Sequence, residues 1–122
     1  MIDTISNIQK AEEYFSNKNS FTTGPVEVSR KIENGDNIVI IDVRAEEDFR
    51  EGHLPGAVNL PEDQWLTLQG PCKDLLNIFY CYSQTCHLAS RAAQFFAHEG
   101  YPVMEMEGGF EAWKENELKV EK

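Results

Sequence analysis

Three cysteines, Cys72, Cys81 and Cys86, are the side chains of this 122-residue sequence best suited to nucleophilic chemistry. Cys81 lies in the apolar run LLNIFYCY (residues 75–82), ahead of the polar stretch SQTCH and a helical pattern over residues 88–99. A cysteine where a strand gives way to a helix faces unpaired amides and the positive end of a helix dipole. Such surroundings favour the thiolate, which is the nucleophile. Cys81 is therefore expected to be exposed and to ionise below the ordinary thiol value; the plainer reading is a small hydrophobe ending a buried strand. Between Asp74 and Glu99 the only formal charge is Arg91, with His87 and His98 titratable, so an acidic chain leaves this segment free of carboxylates.

The other candidates have structural readings. Cys72 follows Gly70-Pro71 in a connection and has no evident partner in chemistry. Cys72, Cys81, Cys86 and His87 lack the paired Cys-x2-Cys spacing of a zinc site, so no metal or other cofactor is expected. Trp65 and Trp113 read as packing residues. Glu105, Glu107, Glu111, Glu115, Glu117 and Glu121 read as a solvated face.

Periodicity and punctuation place the elements that must position these residues. Residues 4–15 carry Ile5, Ile8, Ala11 or Glu12, and Phe15 at helical spacing, with Thr4 or Ser6 as cap. A polar stretch, 17–20, separates this helix from a short strand at 21–23, and Gly24-Pro25 opens a second helix that ends at Asn34-Gly35. NIVIIDV (37–43) is a β-branched run suited to a strand buried on both faces. A short helix (45–50), a strand (57–60), a helical segment (61–68), the strand at 75–82, the helix capped by Gly100, a strand (101–106) and a closing helix after Gly108-Gly109 complete the chain. Strands alternating with helices predict an α/β fold with a parallel sheet covered on both faces. In such folds, ligands sit beyond the carboxyl ends of the strands.

Twenty-one acidic against 11 basic residues give a formal charge of −10, and 41% of the residues are hydrophobic. This describes one domain with a core. It argues against nucleic acid and anionic membrane as partners, both of which call for Lys and Arg. No apolar run approaches the roughly 20 residues of a membrane helix. The first residues lack a basic start followed by an apolar stretch, and a cytoplasmic location with reduced thiols is the expectation.

Four pieces together resemble the single-domain members of the rhodanese family: IIDVRAEEDFREGHLPGAVNLP (40–61), Tyr80-Cys81, Arg91-Ala92-Ala93 and GYPVMEMEGGFEAWK (100–114). They run in the family's order and cover about residues 24–116. The resemblance implies a three-layer fold with a five-stranded, mainly parallel, twisted sheet; the rhodanese-like domain is expected over residues 21–122, and the helical spacing near the start is read as an accessory helix within 1–20. It implies a sulfurtransferase that takes sulfane sulfur from a small donor (thiosulfate, polysulfide or persulfide) and holds it as a persulfide on Cys81. The sulfur then passes to a thiol or cyanide, and a protein acceptor is compatible with the scheme. Main-chain amides of the loop can stabilise the sulfur anion without a side-chain base.

Substrate contacts fall on the loop Tyr82, Ser83, Gln84, Thr85, Cys86 and His87, with Arg91 and Arg44. Asp42 and His53 are expected to support the site, the first at a strand end and the second fixing the turn in GHLPG, while Arg44 is expected to pair with Glu47 or Glu51.

The loop departs from the family's pattern, in which Cys is followed by two residues, Gly, one residue and Arg. Gln84 stands in the place of Gly, Cys86 in that of Arg, and the loop and helix run about two residues longer. His87 or Arg91 is left to replace the missing Arg. Cys86 can be a resolving thiol, a second sulfur acceptor or a structural residue; Cys86 as nucleophile, through its Cys-x4-Arg spacing to Arg91, fits the strand end less well than Cys81. Two further functions stay open: a non-catalytic module that binds a partner, and a cysteine phosphatase or arsenate reductase. The latter wants an Arg where the Cys-x5-His arrangement places His87.

Overall fold

Residues 7–122 are described by the structure, a computed structural model. The order is α1 (Ile8–Phe21), β1 (Thr22–Thr23), α2 (Pro25–Glu33), β2 (Ile38–Asp42), α3 (Glu46–Glu51), β3 (Val58–Asn59) and a 3-10 helix (Glu62–Thr67). Then follow β4 (Leu76–Tyr80), α4 (Leu88–His98), β5 (Val103–Met106) and α5 (Gly109–Glu115). All strand pairs are parallel, in the order β1-β5-β4-β2-β3, as the α/β pattern requires. No helix among the described residues is long and apolar enough to cross a membrane.

The central strands are apolar on both faces because both are covered. Side chains alternate across a strand, so Ile41, Val43, Phe79 and Cys81 face one way, against Trp65, Ala89, Ala92 and Phe96 from the 3-10 helix and α4. Ile40, Ile78 and Tyr80 face the other way, against Val28 of α2 and Trp113 of α5. Both tryptophans are packing residues, as expected; the indole N–H of Trp65 donates to the Leu60 carbonyl at 3.0 Å.

The first helix differs from its sequence reading. It runs to Phe21, straight through the polar stretch 17–20, and the candidate caps Thr4 and Ser6 and the apolar Ile5 lie outside the described residues. A tertiary contact and a local cap hold the added turn: Lys18 Nζ reaches Glu107 Oε2 at 2.7 Å, and both the backbone N–H and the hydroxyl of Thr22 donate to the Lys18 carbonyl.

Candidate active site

The loop between β4 and α4 begins one residue past the strand, and its first side chain continues the strand's alternation. Cys81 therefore points under α4 and is 2% exposed. This corrects the expectation of an exposed, readily ionised Cys81. Burial, reinforced by a hydrogen bond to the Cys86 thiol, pushes its pKa up to about 12, although the amides of Ala89 and Tyr82 pull the other way. The Cys81 thiol also lies 3.5 Å from the Cys86 carbonyl.

Cys86 has the better position for chemistry. It lines a cleft of about 430 Å³ with Gln84, His87 and Ser90 on one side and Tyr14, Asn17, Lys18 and Thr22 of α1 and β1 on the other. Partial burial opposes its ionisation, yet the hydrogen bond from Cys81 and the amides of Leu88 and Tyr82 outweigh it and hold the thiol below its ordinary value. The cleft floor overturns another expectation, that of a site free of carboxylates. Glu105 and Glu107, at the end of β5, line the same cleft. Burial, with the Glu107 charge next in size, pushes the Glu105 carboxyl up. Neither residue belongs to a freely solvated face, and the Lys18 amine is already committed to Glu107.

The opposite shifts of the two thiols predict how stability depends on pH. Cys86 ionises more easily folded than unfolded, so its contribution is present above about 8.5 and lost as pH falls through its lowered folded value. Cys81 holds its proton more tightly folded, so its contribution is full below about 8.5 and lost as pH climbs, at up to about 1.4 kcal/mol per pH unit. Urea unfolding under reducing conditions is expected to show a maximum near pH 8.5 and an alkaline decline that Cys81→Ala removes. A flat profile between about pH 8.5 and 10 contradicts the buried, protonated Cys81.

On the other side of the sheet ends, the buried carboxylate of Asp42 accepts from Arg44 Nε and Nη2 at 3.1 and 2.8 Å and from the Tyr80 hydroxyl at 2.6 Å. Arg44 Nη2 also donates to the Gly52 carbonyl at 2.6 Å, and its guanidinium stacks over Phe110 at 4.1 Å. The expected pairing of Arg44 with Glu47 or Glu51 is thus replaced by Asp42, whose desolvated charge needs a cation more than the solvated helix acids do. With Nε and Nη2 engaged, Arg44 is 3% exposed and supports the strand end; it reaches a second cleft, with Tyr82, Asp48 and Lys114, rather than the cysteine cleft.

A rhodanese-like domain model matches residues 24–116. The chain belongs to the rhodanese-like domain family. It is 31% identical over 81 residues to the thiosulfate sulfurtransferase GlpE of Shewanella oneidensis, covering 65% of this chain and 78% of that protein. It is 30% identical over 99 residues to the HTH-type transcriptional regulator Rv0324 of Mycobacterium tuberculosis, covering 78% of this chain but 42% of the regulator's length. Among solved structures, the BH2092 protein of Bacillus halodurans superposes with a TM-score of 0.84 at 32% identity, over 93% of this chain and 85% of that one.

Within the rhodanese-like domain, the loop residues named from the sequence divide into groups. Gln84, Cys86 and His87 reach the cysteine cleft. Ser83 and Thr85 hydrogen-bond each other at 3.3 Å, and the Tyr82 hydroxyl donates to Asp48 Oδ2 at 2.7 Å, away from that cleft. Arg91 is a correction: its guanidinium pairs with Glu62 on the 3-10 helix, because α4 turns position 91 outward, and it does not replace the missing Arg. His53 holds its turn, with Nδ1 2.8 Å from the Phe49 carbonyl and its ring stacked on Phe49 at 3.8 Å.

Four contributors escaped sequence reasoning: Lys18, Glu105, Glu107 and Gly109. Lys18 is far in sequence from Glu105 and Glu107, and all three meet the β4–α4 loop only across the cleft. Gly109 was legible as turn punctuation, but not as the residue on which the loop rests. The N–H groups of Phe110 and Glu111, at the start of α5, donate to the Cys81 and Tyr82 carbonyls at 2.8 and 3.0 Å.

Proposed function

We propose that this rhodanese-like domain is a sulfurtransferase that moves sulfane sulfur from a small donor to a thiol or cyanide through a persulfide on the cysteines of the β4–α4 loop. The observation that carries this reading is the paired, amide-bordered sulfur site. Cys81 occupies the family's cysteine position, Cys86 opens onto the cleft, and the amides of Tyr82, Leu88 and Ala89 approach the two sulfurs. Each half of the transfer is a displacement at sulfur with a sulfur anion as nucleophile and another as leaving group. Amides already aimed at that charge stabilise it without a general base.

The cleft also suggests which donors suit it. Lys18 offsets Glu107, which leaves Glu105 to repel a dianion such as thiosulfate, and no arginine is among the described cleft residues. Low-molecular-weight persulfides on a carrier with little net negative charge meet less of this repulsion than the dianions thiosulfate and polysulfide, and are the better donors. The same acidity, with Arg91 held by Glu62 and Arg44 by Asp42, speaks against phosphoryl or arsenate chemistry, which needs cations around three anionic oxygens.

With cyanide in excess and a reducing thiol present, the chain is expected to form thiocyanate over many turnovers, faster from a low-molecular-weight persulfide on a carrier with little net negative charge than from thiosulfate or polysulfide. The double variant Cys81→Ser/Cys86→Ser is expected to lose about a hundredfold or more of that rate, as removal of a nucleophile does. No thiocyanate from any of these donors, with the fold intact, leaves the domain as a module that binds a partner.

A further inference from the structure

The loop keeps its two sulfurs in unlike surroundings at close range. Cys86 is part of the cleft wall, whereas Cys81 sits behind it among Ile41, Val43, Ala89 and Ala92. A turn closed by the Cys86 N–H on the Ser83 carbonyl, at 3.2 Å, folds the loop back over Cys81. There the Cys81 thiol donates to the Cys86 carbonyl at 3.5 Å. A donor entering the cleft meets Cys86 first.

We propose that Cys86 receives the sulfur and that Cys81 is its resolving thiol, so that the domain reduces sulfane sulfur to sulfide by closing a Cys81–Cys86 disulfide. This rests on the sulfurtransferase reading and deepens it by giving each cysteine a separate step. In the first step the Cys86 thiolate attacks the outer sulfur of a persulfide donor, R–S–SH. A bond forms between Cys86 Sγ and that sulfur, the donor's S–S bond breaks, and R–S⁻ departs. In the second step Cys81 Sγ attacks Cys86 Sγ. The Sγ–Sγ bond forms as the bond from Cys86 Sγ to the sulfane sulfur breaks, and the Cys81 proton passes to the departing sulfur, which leaves as hydrogen sulfide. Two thiols surrender two electrons and the sulfane sulfur gains two. Two equivalents of a low-molecular-weight thiol, the acceptor class already proposed, reopen the disulfide.

Position explains this division of labour. The buried, protonated Cys81 is a poor target for a donor in solution, yet beside Cys86 it reacts with the advantage of an intramolecular partner. A thiol already held 3.5 Å from the backbone carbonyl of the residue whose sulfur it must attack needs little rearrangement to do so.

The test mixes the reduced full chain with one equivalent of glutathione persulfide, followed by intact mass, peptide mapping and sulfide measurement. The wild type is expected to end about 2 Da lighter than its reduced form, with one sulfide released per chain and the disulfide located between Cys81 and Cys86. Cys81→Ala is expected to stop as a persulfide on Cys86, about 32 Da heavier, without sulfide release. Cys86→Ala is expected to take up sulfur at least about tenfold more slowly. A stable wild-type persulfide with no disulfide, or sulfur uptake by Cys86→Ala at the wild-type rate, overturns the proposal while thiocyanate formation still supports the sulfurtransferase reading. A wild type that takes up no sulfur and forms no thiocyanate overturns both. The wild-type measurements need no variant, so a Cys81→Ala chain that fails to fold does not shield the proposal.

Discussion

Gly109→Ala is expected to lower the rate of thiocyanate formation about a hundredfold, the scale of loss when reacting groups shift by about an ångström. A Cβ at this position would lie 2.6 Å from the Ser83 nitrogen and 2.7 Å from both the Cys81 oxygen and the Tyr82 carbonyl carbon. These are backbone atoms, so no side chain can swing aside, and the loop itself must move. Its carbonyls would leave the Phe110 and Glu111 amides that hold them, and the cysteines would leave the positions that the amides of Tyr82, Leu88 and Ala89 now serve. Gly109 also has φ +62°, a region where any side chain is strained. Strain and overlap together are expected to cost about 2–5 kcal/mol in urea unfolding. Gly56→Ala separates the two effects: φ is +77° there, but nothing lies within 4 Å of the added Cβ. It is expected to lose about 1–2 kcal/mol and keep its thiocyanate rate. A Gly109→Ala chain with wild-type activity contradicts the role of α5 as the loop's support.

Asp42→Ala is expected to destabilise the fold by about 3–5 kcal/mol, read from the urea midpoint at constant slope. Asp42 is fully buried and Arg44 is 3% exposed, so the substitution strands a guanidinium in the interior with the Gly52 carbonyl as its remaining acceptor. The Tyr80 hydroxyl loses its acceptor as well. Domains of this kind hold about 5–15 kcal/mol in total, so the variant is expected to be marginal. Tyr80→Phe removes the hydrogen bond to this charged acceptor and also the acceptor of the buried Leu54 N–H, which donates to the hydroxyl at 3.2 Å, and is expected to cost about 2–4 kcal/mol. The two substitutions share Asp42 and should not add. A loss below about 1 kcal/mol for Asp42→Ala, the range of exposed ion pairs, contradicts the buried cluster. The cluster bears on function too: an Arg44 held this firmly is not available to grip an anionic donor.

Local pattern was enough for the architecture. The β-branched run ending at Asp42 and the apolar run ending at Tyr80 became neighbouring parallel strands, Gly100 ended α4 with φ +95°, and the ordered pieces from IIDVR to GGFEAW pointed to the rhodanese-like family. Period-2 alternation and turn chemistry act over a few residues, which is why they can be read along a chain.

The site was legible only in part. Loop position singled out Cys81 and Cys86, but which sulfur meets solvent depended on α4 closing over the β4 end. The gap in acidic residues from 75 to 98 suggested an uncharged pocket, whereas β5 delivers Glu105 and Glu107 into it and α1 supplies Lys18. Sequence by itself thus determined the sheet, its order of elements and the presence of two thiols in one loop, because those follow from short-range periodicity and covalent neighbours. Tertiary structure alone decided the burial of one thiol, the exposure of the other and the charge around them, because desolvation and Coulomb interactions depend on distance in space, not along the chain.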